Sequence, residues 1–386
     1  MNVMFISKCL PETSGAGAGA RMHLKALQNI VGEQNIFIVD LSPLSKPSKS
    51  INYIAYGKYS SKMERVRRLL QGNIYLFSNR IIFEISNIVK TKRIKFVFVD
   101  DSYFGRLVKK IKENNPDVAI VSFFHDVKAS LFKIWMRQSD FFTKLDLRLG
   151  IRGEKISVNT VDKNIVLNNA ENELLIKYYG READYYLPVC VNKENDGTIN
   201  PYDRNYKKHI LFVGTSYKPN IDAMRWFCNR ILPKIRQYFD IYIVGRGLEV
   251  LKKSITDEDA HIIGFAESLS SYYKYSDVVI APLKDGGGMK IKTCEALSYG
   301  KIFIGSTESL HGYYEKFNSN IIDKLVFQCD SDEEYLDAFY QLKDSKICKC
   351  NKELVDLYEK YYSENAATKI IKQIIEETVK TREGDN

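Results

Sequence analysis

The sequence predicts an α/β chain of two doubly wound domains, each a parallel sheet covered by helices on both faces. Three observations predict it. Short apolar runs rich in Val, Ile and Phe alternate with segments of helical period along most of the chain, the pattern of parallel strands buried on both sides. One polar stretch, Val191 to Lys208, interrupts the series with Asn, Asp, Gly and Pro and no apolar period, as a linker would. The length of 386 residues, 45% hydrophobic and 27% charged, supplies two ordinary cores.

In the front half the strands are read at 3–7 (VMFIS), 36–39 (IFIV), 96–99 (FVFV), 118–124 (VAIVSFF) and 165–167 (IVL). Between them, Arg21 to Val31 carries Leu24, Leu27, Ile30 and Val31 on one side, and Ser78 to Val89 carries Ile81, Ile82, Ile85, Ile88 and Val89. Both read as amphipathic crossover helices. The rear half repeats this grammar with strands at 210–214, 241–245, 278–281 and 302–305, and a last one at 325–327. Only helical patterns follow, at 332–342, 352–361 and 366–379. The predicted organisation is therefore a first domain over 1–190, a linker over 191–208, a second domain over 209–362, and a helix over 363–386 that packs back on the first. Nothing repeats at a period of about 20 to 50 residues, which excludes solenoids and propellers.

Composition excludes further classes. No window approaches the roughly 18 apolar residues of a membrane span, and the start lacks the charged flank of a secretory signal. Seven scattered cysteines, odd in number and without a CxxC, argue against a disulfide framework or a structural zinc, and a reducing cytosol is expected. Cys348 and Cys350 are read as incidental. Charge is uneven: residues 1–190 hold 29 Lys and Arg against 18 Asp and Glu, and the remainder 28 against 30. The front half thus faces something anionic, with nucleic acid, a phospholipid surface or a phosphorylated substrate as candidates. In Lys58 to Leu70, KYSSKMERVRRLL, cations sit beside Met63, Val66, Leu69 and Leu70. That segment either lies on a membrane or packs its apolar stripe on its own core.

Two glycine-rich segments are candidate ligand loops. Ser14 to Ala20 (SGAGAGA) stands between the first strand and the helix from Arg21, where small residues let backbone approach a ligand and a helix N-terminus favours phosphate. Gly15, Gly17 and Ala20 formally fit a dinucleotide fingerprint with Asp40 as the ribose acid. The intervening Lys8 to Ser14 does not fit it, so a phosphate or sugar loop with Gly17 and Gly19 is preferred, against a plain surface loop. The second segment, Asp285-Gly286-Gly287-Gly288-Met289-Lys290-Ile291-Lys292, opens a helix that Gly300 can close in a left-handed cap. Amides at Gly287, Gly288 and Met289 suit a diphosphate, and Lys290 and Lys292 add full charge. Glu295 lies seven residues beyond Gly288, about 10 Å along a helix axis and within diphosphate-to-ribose reach. The alternative for Glu295 is a surface pair with Lys292 or Lys301.

The stretch GGGMKIKTCEALSYGKIFIGS, with ILFVGTSYKPNIDAMRWFCNRILPKI, VGRG at 244–247, Gly264-Phe265 and DVVIAPL at 277–283, resembles the C-terminal domain of GT-B glycosyltransferases of the group 1, GT4-like type. In the front half the glycine segment and FFHD at 123–126 are similar to that family's N-terminal motifs. The resemblance implies a GT-B fold, two Rossmann-like domains facing a central cleft, and a retaining transferase. A sugar would pass from a nucleotide diphosphate to an acceptor hydroxyl of a glycan or lipid-linked glycan, in bacterial cell-surface polysaccharide biosynthesis.

Residue by residue, the resemblance makes Glu295 the ribose-holding glutamate of an E-x7-E motif whose first glutamate is replaced here by Gly287, with the backbone amides of Gly287 and Gly288, or Asp285 nearby, as substitutes. It places Gly214, Arg246 and Phe265 among the substrate-binding positions, Lys218 as the basic residue after the first rear strand, and His125 beside the donor sugar. At a strand's carboxyl end His125 can donate a hydrogen bond or meet transient charge, with Asp126 fixing its tautomer, or it is merely structural. Asp100-Asp101 is read as a strand end rather than a metal-binding pair. No cofactor and no metal are expected, the leaving diphosphate being stabilised by lysines and helix N-termini. Nucleic acid is not expected as a partner, since no recognised motif accompanies the basic half. The expected location is cytoplasmic, with peripheral contact at the inner membrane face through that half. Two other readings stay open: a nucleotide-sugar epimerase or hydrolase, and a non-catalytic nucleotide-sugar-binding protein.

Overall fold

The computed structural model describes residues 1–12, 14–58, 61–194, 199–202 and 206–384. The chain divides into two compact units, Met1–Pro188 with Ala367–Asn386, and Val189–Ala366. Each is an α/β unit around a predominantly parallel sheet.

The first unit holds β1 (Asn2–Ser7), β2 (Ile36–Asp40), β3 (Ser48–Lys49), β4 (Tyr53–Ala55), β5 (Ile94–Val99), β6 (Ala119–Phe124), β7 (Lys163–Val166) and β8 (Tyr185–Tyr186). Their order is β3-β4-β2-β1-β5-β6-β7-β8, and only the β3–β4 pair is antiparallel. The helices are α1 (Gly15–Val31), α2 (Lys62–Leu70), α3 (Asn79–Thr91), α4 (Gly105–Asn114), α5 (Lys128–Gln138), α6 (Phe141–Thr160) and α7 (Asn169–Tyr179). Val97, Val99, Ile85, Leu107 and Ile120 are buried on one face. A smaller cluster of Phe124, Val127, Val158, Val166 and Leu175 forms a second.

The second unit holds β9 (Lys208–Val213), β10 (Phe239–Val244), β11 (Ala260–Gly264), β12 (Val278–Ala281), β13 (Ile302–Gly305) and β14 (Val326–Gln328), in the order β11-β10-β9-β12-β13-β14. Its helices are α8 (Lys218–Arg230), α9 (Leu232–Ile235), α10 (Ser270–Tyr275), α11 (Ile291–Ser298), α12 (Thr307–Leu310), α13 (Asp332–Lys343) and α14 (Lys352–Tyr361). Phe227, Phe239 and Phe339 meet edge to face in its core, with ring centroids 5.1 and 5.8 Å apart. Each such buried ring contributes about 1.5–3 kcal/mol. The final helix, α15 (Glu364–Gly384), buries Ile371, Ile374 and Ile375, while Glu377 bonds the Tyr185 hydroxyl and Arg382 pairs with Asp162.

In both units the strand order reverses beside the first strand, between β1 and β5 and between β9 and β12. In open α/β sheets such a switch point leaves a crevice at the carboxyl ends, because the neighbouring loops run to opposite faces.

Several expectations change. Ser14 to Ala20 is not a loop: Ser14 caps α1 through a 3.2 Å bond from the Gly17 amide, and the helix begins at Gly15. A side-chain cap outweighed glycine's poor helix propensity. The stretch read as a linker belongs to the second unit wherever it is described, residues 195–198 and 203–205 lying outside the described residues. Tyr202 stacks on His209 at 4.7 Å and donates to the Tyr272 carbonyl at 2.7 Å, and Val191 pairs with Ser363. Helix α6 escaped the periodicity because Gly150 and Gly153 break its apolar stripe. A Cβ on Gly153 would stand 2.4 Å from the Tyr103 carbonyl, so the glycine is there for close packing.

Helix α2 departs from the reading in which its apolar stripe packs on its own core; residues 59 and 60 of its segment lie outside the described ones. Arg65 and Arg68 turn inward to Asp146 and Glu64, whereas Met63 and Leu70 are 81% and 84% exposed.

Candidate functional site

Around the switch point of the second unit, loops leave the carboxyl ends of β9, β10, β11 and β12. Three of them meet through glycine: a Cβ on Gly245 would fall 1.6 Å from the Gly214 carbonyl oxygen, and the Gly245 amide donates to the Gly264 carbonyl at 2.6 Å. Side chains here would force the loops apart. Gly214 also lies against the Asn220 amide, and beyond it the Arg246 guanidinium sits 5.1 Å from the ring of Phe265, which is 55% exposed.

The glycine turn follows β12. Gly286 and Gly288 take positive φ, 150° and 60°, the region where only glycine avoids a steric cost. Asp285 and Gly287 are exposed, and Met289 is buried beneath the turn. Helix α11 then starts without a side-chain cap, which leaves its first amides available to a ligand. Gly300, at φ 63°, ends it in the left-handed conformation the sequence requires.

The charged groups of this turn have internal partners. Lys290 donates to the carbonyls of Gly287 (3.1 Å) and Gly288 (2.7 Å) and pairs with Glu308 at 2.6 Å. Lys292 donates to the Asn220 amide oxygen at 2.8 Å and lies 4.1 Å from the Phe212 ring centroid. Burial brings its pKa down to about 7. Glu295 accepts from the Tyr273 hydroxyl at 2.6 Å. Burial pushes its pKa up to about 7, against the pull of Tyr273 and of the Lys292 charge, while Glu194 adds to the rise. Neither suggested surface partner holds it, for Lys301 is buried and donates to the carbonyls of Lys274 and Ser276. Tyr273 stacks on Tyr299 at 5.2 Å, which fixes its hydroxyl. Lys218, 85% exposed at its side chain, pairs with Asp222 on its own helix rather than joining Lys290 and Lys292.

The first unit builds a separate constellation at its own switch point. His125 follows β6, and its Nε2 lies 3.3 Å from Asp100 Oδ2 at the end of β5. The other Asp100 oxygen meets His23 Nδ1 at 2.8 Å, and the Ser7 hydroxyl donates to Oδ2 at 2.9 Å. Burial works against a charged His125, but the Asp100 carboxylate outweighs it and raises the pKa above the ordinary value. By the same pairing, the carboxyl of Asp100 is held below the usual range despite burial. Asp100, not Asp126, is therefore the carboxylate that orients the imidazole. Gly19 faces this ring, since a Cβ there would stand 3.6 Å from His125 Cε1. Gly17 faces inward instead, where a Cβ would meet the Glu12 carbonyl at 2.1 Å. Asp40 is buried and bonded to the Ser42 amide and the Tyr53 hydroxyl, a structural role.

Sequence reasoning took Asp100 only as a strand end and passed over Asn220, Tyr273 and Glu308. Asp100 had a signal, an acid at the carboxyl end of a central strand. The others act across 18 to 72 residues and through side chains whose direction no local pattern gives.

Residues 207–344 match the model of the family described as Glycosyl transferases group 1. A 112-residue stretch is 30% identical to an uncharacterized 44.6 kDa protein in the cps region of Klebsiella pneumoniae. It spans 26% of this chain and 29% of that protein. Among solved structures, a glycosyltransferase from Rickettsia africae superposes with a TM-score of 0.69 at 13% identity, covering 98% of both chains. Anabaena HepE in complex with UDP and glucose gives 0.66 at 10% identity over 97% of this chain and 99% of the other. These likenesses show a GT-B fold.

Proposed function

From the premise that this chain carries a group 1 glycosyltransferase domain on a GT-B fold, we propose that it moves a sugar from a nucleotide diphosphate to an acceptor hydroxyl with retention of anomeric configuration. The observation that carries this reading is the second unit's switch point. There an uncapped helix start, a glycine turn and two lysines stand beside a carboxylate one helical turn further on.

The diphosphate takes the amides of Gly287 to Met289 and the ammoniums of Lys290 and Lys292, and Glu295 accepts the ribose hydroxyls. As the anomeric C–O bond breaks, the electron pair stays on the leaving phosphate oxygen, where these positive groups stabilise it without a resident metal. The acceptor oxygen bonds to the anomeric carbon on the same face and its proton passes to the departing phosphate. His125, oriented by Asp100 and with its pKa raised by that carboxylate, donates to a sugar hydroxyl. Uridine diphosphate is the nucleotide we favour, because HepE was solved with UDP. A cell-surface glycan is the acceptor class we favour, because the Klebsiella relative lies in a cps region. Peripheral membrane contact is part of this proposal. Exposed Met63, Leu70 and Phe83 on the cationic first unit support it, and no helix of the described residues is long and apolar enough to cross a membrane.

A thermal-shift panel of UDP, GDP, ADP, TDP and CDP tests the reading. Stabilisation by one nucleotide, lost in Glu295→Ala, is expected, and no response to any of them overturns it. Turnover of the sugar donor that needs no acceptor would instead indicate a hydrolase or epimerase.

A further inference from the structure

In the first unit the turn that carries His125 is pinned by four buried carboxylates. Its own helix supplies no cap, since Val127 precedes α5 without a side-chain bond to the first turn. Two other helices supply the acceptors instead. Glu171 of α7 takes the Val127 amide at 2.8 Å, and Glu154 of α6 takes the amides of Lys128 at 3.2 Å and Ala129 at 3.1 Å. The Lys128 ammonium reaches Asp101 at 2.9 Å, beside the Asp100 that meets the imidazole. Asp100 and Glu154 are fully buried, Asp101 is 1% exposed and Glu171 5%.

Each of these carboxylates has lost its water, and well-packed apolar residues of like volume often serve stability as well or better. Burial pushes Glu171 up to about 7, against the Val127 amide and the Lys128 charge, while Asp126 and Glu154 add to the rise. A protonated carboxyl still offers its carbonyl oxygen to Val127, so the hold does not depend on ionisation. What the arrangement fixes is a direction. The His125–Asp100 bond is 3.3 Å, longer than the usual span of about 2.7–3.2 Å, whereas His23 meets the same carboxylate at 2.8 Å. So long a bond leaves the place of the ring to the backbone that follows it. Glu154 is itself held by the Tyr179 hydroxyl at 2.6 Å and by the Ser102 hydroxyl. Ser102 stands two residues after Asp100, so Glu154 ties the start of α5 to the segment that carries the partner of His125.

We propose that Glu154 and Glu171 are positioning residues for His125, accepting the three amides that follow Asp126 so that the imidazole leaves β6 toward Asp100. The proposal rests on the sugar-transfer reading and adds to it residues that touch no substrate and act through His125.

The test follows the His125 ring of the full chain by NMR, with His125→Ala to assign its signal. Glu171→Met removes the acceptor at similar volume. Its imidazole midpoint should fall by about half a pH unit or more as the Asp100 contact opens, and kcat should fall about tenfold or more with donor KM within about twofold. Glu171→Gln keeps an accepting oxygen without the charge, and should hold the midpoint and restore kcat to within about threefold. A residue that only caps α5 would lower the denaturation midpoint and leave the ring midpoint and kcat in place, and that result overturns the proposal. So does a Glu171→Gln chain that behaves like Glu171→Met, since charge rather than position would then be at work. Should Glu171→Met not fold, Glu154→Gln, whose side-chain NH2 opposes one of the two amides, takes its place with the same expected shift, and an unmoved midpoint there counts equally against the proposal. The ring signal needs no substrate, so a silent nucleotide panel in the unmodified chain sinks the transfer reading while the midpoint still decides whether these carboxylates place His125.

Discussion

In the second unit the ammonium of Lys290 lies 2.6 Å from a carboxylate oxygen of Glu308, and the same nitrogen donates to the carbonyls of Gly287 and Gly288. The cation best placed for a diphosphate is thus occupied by acceptors of its own turn before any ligand arrives. A phosphate must displace Glu308 or share the ammonium with it.

Glu308→Gln should therefore tighten nucleoside diphosphate binding by about two- to fivefold, since an incompletely buried ion pair is worth roughly 0.5–1 kcal/mol. Lys290→Ala should weaken diphosphate binding while leaving nucleoside binding nearly unchanged. Calorimetric titration with UDP and uridine checks both, and an unaltered affinity in Glu308→Gln would mean that Lys290 never leaves its partner.

Glu295 and Lys292 titrate near the same pH with opposite effects. With its pKa pushed up to about 7, Glu295 is ionised and able to accept ribose hydroxyls only as pH rises. Lys292, brought down to about 7, is charged only as pH falls. Nucleoside diphosphate affinity should peak near neutrality and decline on both sides. A titration series between about pH 5.5 and 8.5 should lose its acid limb in Glu295→Gln and its alkaline limb in Lys292→Met. Glu295→Ala should lower turnover at least tenfold, about 1.4 kcal/mol.

His125 and Asp100 make a pH-dependent contribution to stability. His125 has a raised pKa in the folded chain. Its stabilisation is complete below the unfolded value of about 6.5 and is lost as pH rises through the folded value. Urea unfolding should therefore show more stability at pH 6 than at pH 8 from this pair, and Asp100→Asn should abolish that gain. Without the carboxylate, burial dominates and the imidazole midpoint, followed by NMR, should fall below the ordinary histidine value. If the midpoint stays put, Asp100 is not what holds His125 charged.

Two glycines of α1 should respond in opposite ways. Gly17→Ala puts a methyl 2.1 Å from the Glu12 carbonyl oxygen and should cost about 1–3 kcal/mol. Gly19→Ala meets His125 only at ordinary contact distance, 3.6 Å, and should gain roughly 0.5–1 kcal/mol from helix propensity. It should nevertheless reduce turnover, because the methyl takes space beside the imidazole. Denaturant midpoints and kcat for the two variants, measured together, check this contrast.

The strands of both sheets were legible because burial on two faces leaves continuous apolar runs such as those at 96–99 and 278–281. Three of the edge strands were not: β3 and β8 have two residues each, and β11 places His261 second among its five residues. Within the candidate site the glycine turn was legible, since positive φ at Gly286 and Gly288 is a local demand. Partners that arrive from other elements were hidden. Asn220 reaches Lys292 across the switch point, and Glu308 reaches Lys290 from a four-residue helix after the next strand. The glycine pattern at 15–19 misled for a physical reason, because Ser14 turned it into the first turns of α1.

Helix α15 completes the unit begun by β1, with Ile371, Ile374 and Ile375 buried and Arg382 on Asp162. On the ribosome, residues 189–366 emerge in full before that helix does, so the later-encoded unit can finish folding while the earlier one still lacks its closing piece. A nascent chain halted near residue 366 would leave an apolar stripe of the first unit uncovered, a surface that chaperones bind and proteases find.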